Sequence, residues 1–140
     1  MTSKHSILLA EDDRDEVYLV RWALRHSGVS VQLVDVPDGA LAIEYLKGSP
    51  PFADRSRYPV PSLLLLDLKM PKVNGLDVLA WLGTRPEFSS LPAVVLSSSV
   101  FEKEAQMARK LGAREFLTKP NELNELVGLM KGLHDRWLAH

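Results

Sequence analysis

The chain has 140 residues, the size of one ordinary domain. Its 17 basic and 18 acidic side chains nearly cancel to a formal net charge of −1, without the basic excess typical of nucleic-acid-binding proteins. The absence of cysteine excludes disulfides, thiolate metal sites and thiol nucleophiles. The first apolar run is too short for a signal peptide or a membrane span. We therefore expect a cytoplasmic protein that binds neither nucleic acid nor membranes.

Five short apolar runs alternate with longer amphipathic stretches along the chain. Each run ends at polar or turn-forming residues, a pattern typical of parallel strands that are buried on both faces. The predicted strands cover residues 7–10, 31–36, 63–66, 93–96 and 115–118.

Helical patterns with recognisable ends lie between and after these strands. Asp13, with Glu16 three residues on, predicts a capping box at the start of the first helix, which should end near Gly28. Asp38 and Gly48 mark the start and end of the second helix. The other three helices are predicted at about 76–82, 102–111 and 121–138. Five β-α repeats predict an α/β doubly wound parallel sheet with helices on both faces.

Residues 48–61 interrupt this alternation of strands and helices and contain four of the nine prolines. A stretch without apolar periodicity predicts a long surface loop between the second helix and the third strand. The loop has two readings: a tolerated insertion, or a partner contact in which Phe52 and Tyr58 serve as anchors.

Acidic residues follow two of the predicted strands. Glu11, Asp12 and Asp13 come after the first strand, and Asp67 comes after the third. Ligands of open parallel sheets bind outside the carboxyl ends of the strands. If these two strands are neighbours, their carboxylates crowd one pocket and need a cation to balance their repulsion. Oxygen ligands without His or Cys favour Mg²⁺ over zinc.

The fourth strand ends in Ser97-Ser98-Ser99 and the fifth in Lys119-Pro120. Each of these residues alone is an ordinary turn or surface residue, but together they suit phosphoryl transfer. A carboxylate that attacks phosphorus needs a metal, a hydroxyl and a cation around the phosphoryl oxygens. The sequence offers Asp67 as nucleophile, Asp12 as metal ligand, Ser97 as hydrogen-bond donor and Lys119 as cation.

The segment 67–75, an Asp followed by Met-Pro and a Gly eight residues on, resembles the phosphoacceptor motif of two-component response regulator receiver domains. Glu11-Asp12, Ser97 and Lys119-Pro120 match the other marks of that family in order. The resemblance covers about residues 5–135 and implies a single domain with a flavodoxin-like sheet of strand order 2-1-3-4-5. It implies a phosphoacceptor rather than an enzyme, with slow self-dephosphorylation.

The resemblance also implies a metal site and a donor. Mg²⁺ would bind Asp12, Asp67 and the backbone carbonyl of Lys69, with Glu11 reached through water. The phosphoryl group would pass to Asp67 from a phosphohistidine on a sensor histidine kinase.

Five further expectations rest on the same resemblance. Ser97 would follow the acyl phosphate, Lys119 would contact a phosphoryl oxygen, and the small Ser98 would leave access to the group. Phe116 stands at the position of the switch aromatic, and the Lys119–Pro120 bond is expected to be cis.

The long loop and the Trp-containing C-terminus resemble single-domain receivers that are paired with bacterial phytochromes. The alternative is a chemotaxis-type or phosphorelay-intermediate receiver without that link. Residues 1–140 would form one receiver domain without an output domain, and the chain would signal by changing its protein partners.

The apolar stripe of the last helix is explained mainly by packing on the sheet, and it also suggests a homodimer through the fourth helix, fifth strand and fifth helix.

Three other classes are disfavoured by particular residues. A Mg²⁺-dependent phosphatase with an Asp-x-Asp pair needs an acid where Lys69 stands. A degenerate receiver that only binds partners would lack Asp67, Asp12 or Lys119, and all three are present. A nucleotide-binding flavodoxin-like protein needs a glycine-rich turn after the first strand, which this sequence lacks.

Overall fold

A computed structural model describes residues 5–98 and 101–139, so Ser99, predicted to follow the fourth strand, lies outside the described residues. No helix within these ranges is long and apolar enough to cross a membrane. A short 3₁₀ turn, Pro86–Phe88, follows the third helix. The strands and helices are β1 (Ser6–Ala10), α1 (Arg14–His26), β2 (Gln32–Val36), α2 (Gly39–Lys47), β3 (Leu63–Leu66), α3 (Gly75–Gly83), β4 (Ala93–Ser97), α4 (Glu102–Lys110), β5 (Glu115–Thr118) and α5 (Leu123–Trp137).

The five strands form one parallel sheet in the order β2-β1-β3-β4-β5. This confirms the predicted doubly wound architecture and places β1 beside β3. The central strands β1, β3 and β4 are buried along their whole length. The edge strands β2 and β5 are only partly covered, so the prediction of complete burial is wrong for them. An edge strand has a neighbour on one side only, and helices cover its faces less completely.

Alternate residues of the central strands enter two hydrophobic cores, one on each face of the sheet. Leu8 and Leu64 pack in the core that includes residues of α2 and α3, whereas Leu9 and Leu65 pack in the core that includes α1 and α5. The predicted stripe of α5 contributes its buried members to the second core, where they pack with the sheet and α1. These members are Leu126, Met130 and Leu133.

The start of α1 differs from the predicted capping box. Asp13 caps the helix by accepting a hydrogen bond from the Asp15 N–H at 2.9 Å. Its own N–H donates to Glu11 Oε2 at 3.2 Å, and the Glu16 carboxylate lies 3.5 Å from Lys119 Nζ. The capping-box prediction is wrong because Glu11 already accepts the Asp13 N–H and the ammonium attracts the Glu16 side chain.

The ends of α2 follow the prediction. The Asp38 side chain accepts the Leu41 N–H at 2.8 Å, and Gly48 ends the helix with a left-handed φ of 73°. Glycine adopts this conformation without the steric penalty of a β-carbon.

The loop after α2 is folded against its own domain. Phe52 and Tyr58 are half-buried on the core, with ring centroids 5.1 and 6.1 Å from that of Tyr45. The Tyr45 hydroxyl donates to the carbonyl of Pro59 at 2.8 Å. Both rings fix the loop to the core, which favours the tolerated insertion, and a partner contact through the exposed parts of Phe52 and Tyr58 stays a prediction.

Two arginines of α1 tie this helix to β2 through Asp35, at 2.6 Å from Arg14 and 2.5 Å from Arg21. Burial opposes ionisation of Asp35, but the two guanidinium groups outweigh it and hold the pKa of this carboxyl below its ordinary value. The stabilisation is therefore present above the unfolded-state pKa and disappears as the pH falls through the folded-state pKa.

Asp35→Asn is accordingly expected to lower the free energy of unfolding by about 1 kcal/mol at about pH 7, and by less at about pH 3. Urea unfolding at both pH values measures this difference. Glu44→Gln, which changes an exposed carboxylate 3.6 Å from Lys47, serves as the control and should change stability little. An equal loss at both pH values for Asp35→Asn would contradict the ion-pair explanation.

Candidate functional site

The site is built at the carboxyl ends of the strands, where backbone hydrogen bonds continue the sheet. The Glu11 N–H donates to the Val36 carbonyl at 3.0 Å, and the Asp67 N–H donates to the Ala10 carbonyl at 3.0 Å. On the other side, the Lys119 N–H donates to the Ser97 carbonyl at 2.8 Å. Because these bonds fix the first residues beyond the strands, their side chains are held at one edge of the sheet.

An acidic trio, Glu11, Asp12 and Asp67, lies at this edge. One oxygen from each carboxylate falls within 4.8 Å of the others. Glu11 and Asp67 are only 3% and 8% exposed, whereas Asp12 is exposed. Three carboxylates this close repel one another, and a hard divalent cation with oxygen ligands fits such a set. The neighbouring Asp13 is not part of the trio, since it caps α1.

Lys119 places one ammonium against these acids. Its Nζ lies 2.6 Å from Glu11 Oε1, 3.5 Å from Glu16 Oε1 and 4.0 Å from Asp67 Oδ2. Burial disfavours the charged ammonium, but the hydrogen bond that Lys119 donates to Glu11 and the charges of all three carboxylates raise the pKa of Lys119 above its ordinary value. The side chain is 14% exposed, so Lys119 is a charged, largely buried cation.

Burial also acts on Glu11, whose pKa rises to about 7. The Asp67 charge adds to this rise, whereas Lys119 and the N–H of Asp13 oppose it. Ionisation of Glu11 therefore depends on a nearby cation.

The peptide bond after Lys119 differs from expectation. Over residues 5–98 and 101–139, the cis peptide bond is Pro50–Pro51, so the prediction of a cis Lys119–Pro120 bond is wrong. The trans form is the intrinsic preference of X–Pro bonds by about 0.5–1 kcal/mol. The Lys119 side chain reaches Glu11 with this trans bond in place.

The remaining predicted residues differ in burial and in the groups they contact. Ser97 is 1% exposed at the end of β4, and Ser98 is exposed beside it. Phe116 is half-buried against the core on the α2 and α3 side of the sheet. The Lys69 side chain points its Nζ toward the ring of Phe101, 5.5 Å from the centroid.

Two glycines position the loop that follows Asp67. The Gly75 N–H donates to the Leu68 carbonyl and the Gly39 N–H donates to the Val73 carbonyl, both at 3.0 Å. A β-carbon on Gly75 would lie 2.6 Å from the Asp67 carbonyl oxygen, and one on Gly39 would clash with the Val73 carbonyl oxygen. The motif contained Gly75, but no sequence signal marked Gly39. Glu16 was assigned only a capping role, and its proximity to Lys119 was also missed.

The sequence of this chain matches the family model of the response regulator receiver domain over residues 7–131. Together with the strand order and the site, this match shows that the chain belongs to the response regulator receiver domain family. Members of this family are typically phosphoacceptors rather than enzymes, and they bind Mg²⁺ or Mn²⁺ at an acidic pocket.

Similar proteins include response regulators, one of them a phytochrome response regulator. The chain is 33% identical to Response regulator Rcp1 of Synechocystis sp., over 94% of this chain and 88% of that protein. The Mn²⁺-bound structure of Rcp1 is 32% identical, with a TM-score of 0.83 over 96% of this chain and 95% of that chain. The phosphorylated cyanobacterial phytochrome response regulator RcpA is 36% identical, with a TM-score of 0.86 over 96% of this chain and 94% of that chain. The chain is thus closely related to cyanobacterial phytochrome response regulators.

Proposed function

We propose that this chain accepts a phosphoryl group on Asp67 from a phosphohistidine of a sensor histidine kinase, and that it signals by phosphorylation-dependent protein–protein interaction. The observation that carries the proposal is the convergence of Asp67 with Glu11, Asp12 and Lys119 at one edge of the sheet. Nucleophile, metal ligands and cation are then all within reach of one phosphoryl group.

The acidic trio would hold Mg²⁺, through the carboxylates of Asp12 and Asp67 and the backbone carbonyl of Lys69, with Glu11 reached through water. The oxygen-only donor set and the Mn²⁺ bound by the relative Rcp1 support a hard divalent cation here. When bound, such an ion neutralises charge on the phosphoryl oxygens.

Each residue of the site has a separate role in the phosphoryl transfer. A carboxylate oxygen of Asp67 forms the new bond to phosphorus while the phosphorus–nitrogen bond of the phosphohistidine breaks, and its electron pair returns to the imidazole. Lys119 and the Ser97 hydroxyl contact phosphoryl oxygens, which fixes the group in line with Asp67. The exposed Ser98 leaves water access to the acyl phosphate, which allows slow self-dephosphorylation. Phe116 repacks as the switch aromatic.

The donor kinase is proposed to be a bacterial phytochrome. Support comes from the similarity to Rcp1 and to the phytochrome response regulator RcpA across nearly the whole chain. A chemotaxis-type or phosphorelay-intermediate role is the alternative. Phosphotransfer from a purified phytochrome kinase, compared with a chemotaxis kinase at equal concentration, separates the two, and faster transfer from the chemotaxis kinase would overturn the phytochrome assignment.

We also propose a homodimer through the face formed by α4, β5 and α5. Met107 on α4 is a large apolar side chain that remains exposed, and contact with a second copy would bury it. Sedimentation with and without a phosphoryl mimic measures the association, and a monomer under both conditions would remove this proposal.

The acceptor assignment is tested by chemical phosphorylation. With Mg²⁺ and a small phosphodonor such as acetyl phosphate, the chain is expected to gain one acid-labile and base-labile phosphoryl group, and Asp67→Asn is expected to abolish this gain. Intact-protein mass spectrometry measures the added mass. Asp77→Asn, in the first turn of α3, is the control and should label as the unmodified chain does. Equal labelling of Asp67→Asn would show that the acceptor is another residue.

A further inference from the structure

We propose that Glu16 is a positioning residue that holds the Lys119 ammonium on the α1 side of the site and so weakens its contact with a phosphoryl group on Asp67. This inference rests on the proposed function, because it concerns the same ammonium. Glu16 lies in the first turn of α1 and acts through Lys119 rather than on the phosphoryl group itself.

The geometry places three carboxylates in competition for one ammonium. Glu11 and Glu16 come from the end of β1 and from α1, whereas Asp67 comes from the end of β3. Lys119 Nζ is closer to Glu16, at 3.5 Å, than to Asp67, at 4.0 Å. In the unphosphorylated protein the ammonium is therefore drawn away from the acceptor.

Glu16 differs from Glu11 in one important respect. Glu11 belongs to the acidic trio and would share its charge with a divalent cation there. Glu16 lies outside the trio, so a cation bound there would not share its charge. Its carboxylate interacts with Lys119 instead. Its side chain is 34% exposed, and that of Lys119 is 14% exposed, so solvent screens this pair only in part.

The local structure leaves Glu16 free for this role. The N–H of Asp13, which a capping box would assign to Glu16, donates to Glu11 instead. The carboxylate of Glu16 therefore faces the small cavity between α1 and α5, which is also lined by Glu11, Lys119 and Leu123. That cavity gives the Lys119 ammonium room on the α1 side.

The proposal predicts the effect of removing this charge on the affinity for a phosphoryl mimic. Glu16→Gln should bind beryllofluoride in the presence of Mg²⁺ about fivefold more tightly than the unmodified chain, because Lys119 is released toward Asp67. Glu16→Asp, which keeps the charge on a shorter side chain, should fall between the two. Isothermal titration calorimetry measures the affinities, and thermal unfolding checks that each variant is folded.

Asp15→Asn is the matched control. It removes one negative charge from the same helical turn, and its exposed side chain is not among the groups that contact Lys119. An effect of overall charge would appear equally in both variants, whereas an effect through Lys119 appears only in Glu16→Gln.

The side-chain ¹⁵N resonance of Lys119 reports directly on the surroundings of the ammonium. In metal-free protein, the side-chain ¹⁵N resonance of Lys119 should shift in Glu16→Gln and stay in place in Asp15→Asn. In a Lys119→Met background, Glu16→Gln should no longer change beryllofluoride affinity.

The outcomes separate this inference from the proposed function. If the unmodified chain neither binds beryllofluoride nor becomes phosphorylated, the proposed function fails. If it does both, but Glu16→Gln matches Asp15→Asn in affinity or leaves the Lys119 resonance unmoved, the role of Glu16 is overturned. An equal gain from Glu16→Gln in the Lys119→Met background also overturns it, because the charge would then act without Lys119.

Discussion

Replacing Lys119 with methionine is expected to lower the free energy of unfolding of the metal-free protein by about 3 kcal/mol at about pH 8. The variant leaves Glu11, which is 3% exposed, without the ammonium that now lies 2.6 Å away. A buried carboxylate that loses its cation must remain charged in an apolar setting or take up a proton, and both states cost free energy. Denaturant unfolding in the presence of a chelator measures the loss.

The sign of the pH dependence follows from the pKa of Glu11. Burial already raises this pKa to about 7, and removal of Lys119 raises it further. A carboxyl with a raised folded-state pKa destabilises the fold increasingly as the pH rises from the unfolded-state value toward the folded-state value. The loss therefore grows above about pH 7, by at most about 1.4 kcal/mol per pH unit, so the loss at about pH 6 should be smaller than at about pH 8.

Lys131→Met provides the control for this prediction. Lys131 forms an exposed pair with Asp135 at 2.9 Å, and loss of such a surface pair should change stability little. A loss for Lys119→Met that is no larger than the loss for Lys131→Met would contradict the assignment of Lys119 as the cation for buried Glu11.

Gly39→Ala is expected to destabilise the fold by about 3 kcal/mol, although glycine to alanine inside a helix ordinarily stabilises by up to about 1 kcal/mol. A β-carbon at this position would clash with the Val73 carbonyl oxygen and lie 2.9 Å from Val78 Cγ2. The Gly39 N–H also donates to Val73. The clash would displace the loop that follows Asp67, so chemical phosphorylation should decrease together with stability.

The control for Gly39→Ala is Gly83→Ala at the end of α3. A β-carbon on Gly83 meets nothing within 4 Å, so this variant should be neutral or more stable by up to about 1 kcal/mol. Thermal unfolding of both variants measures the contrast. Equal changes in the two variants would show that the backbone approach between Gly39 and Val73 is not as close as described.

Much of the fold could be predicted from local signals. The apolar runs of β1, β3 and β4 end at turn residues, and Asp38 and Gly48 mark the ends of α2, because these signals act over only a few residues of chain. The start of α1 was predicted less well. Asp13 and Glu16 have the spacing of a capping box, but Glu11 accepts the Asp13 N–H, and the ammonium near Glu16 comes from Lys119 in a distant part of the chain.

In the candidate site, too, some features follow from local sequence and others depend on residues far apart in the chain. Asp67 and Gly75 belong to one continuous motif, and such a motif can be recognised without a structure. The role of Gly39 could not be predicted, because its constraint comes from Val73, 34 residues further on, and it depends on the packing of α2 against the loop after β3.

Periodicity and residue chemistry were enough to predict the order of the elements, the parallel sheet and the acidic and basic residues at the strand ends. The folded arrangement was needed to learn which carboxylates share Lys119, that Phe52 and Tyr58 face the core, and that the Lys119–Pro120 bond is trans. The physical reason is that charge pairing and steric contact depend on distances between groups far apart in the chain, and those distances exist only once the sheet has assembled.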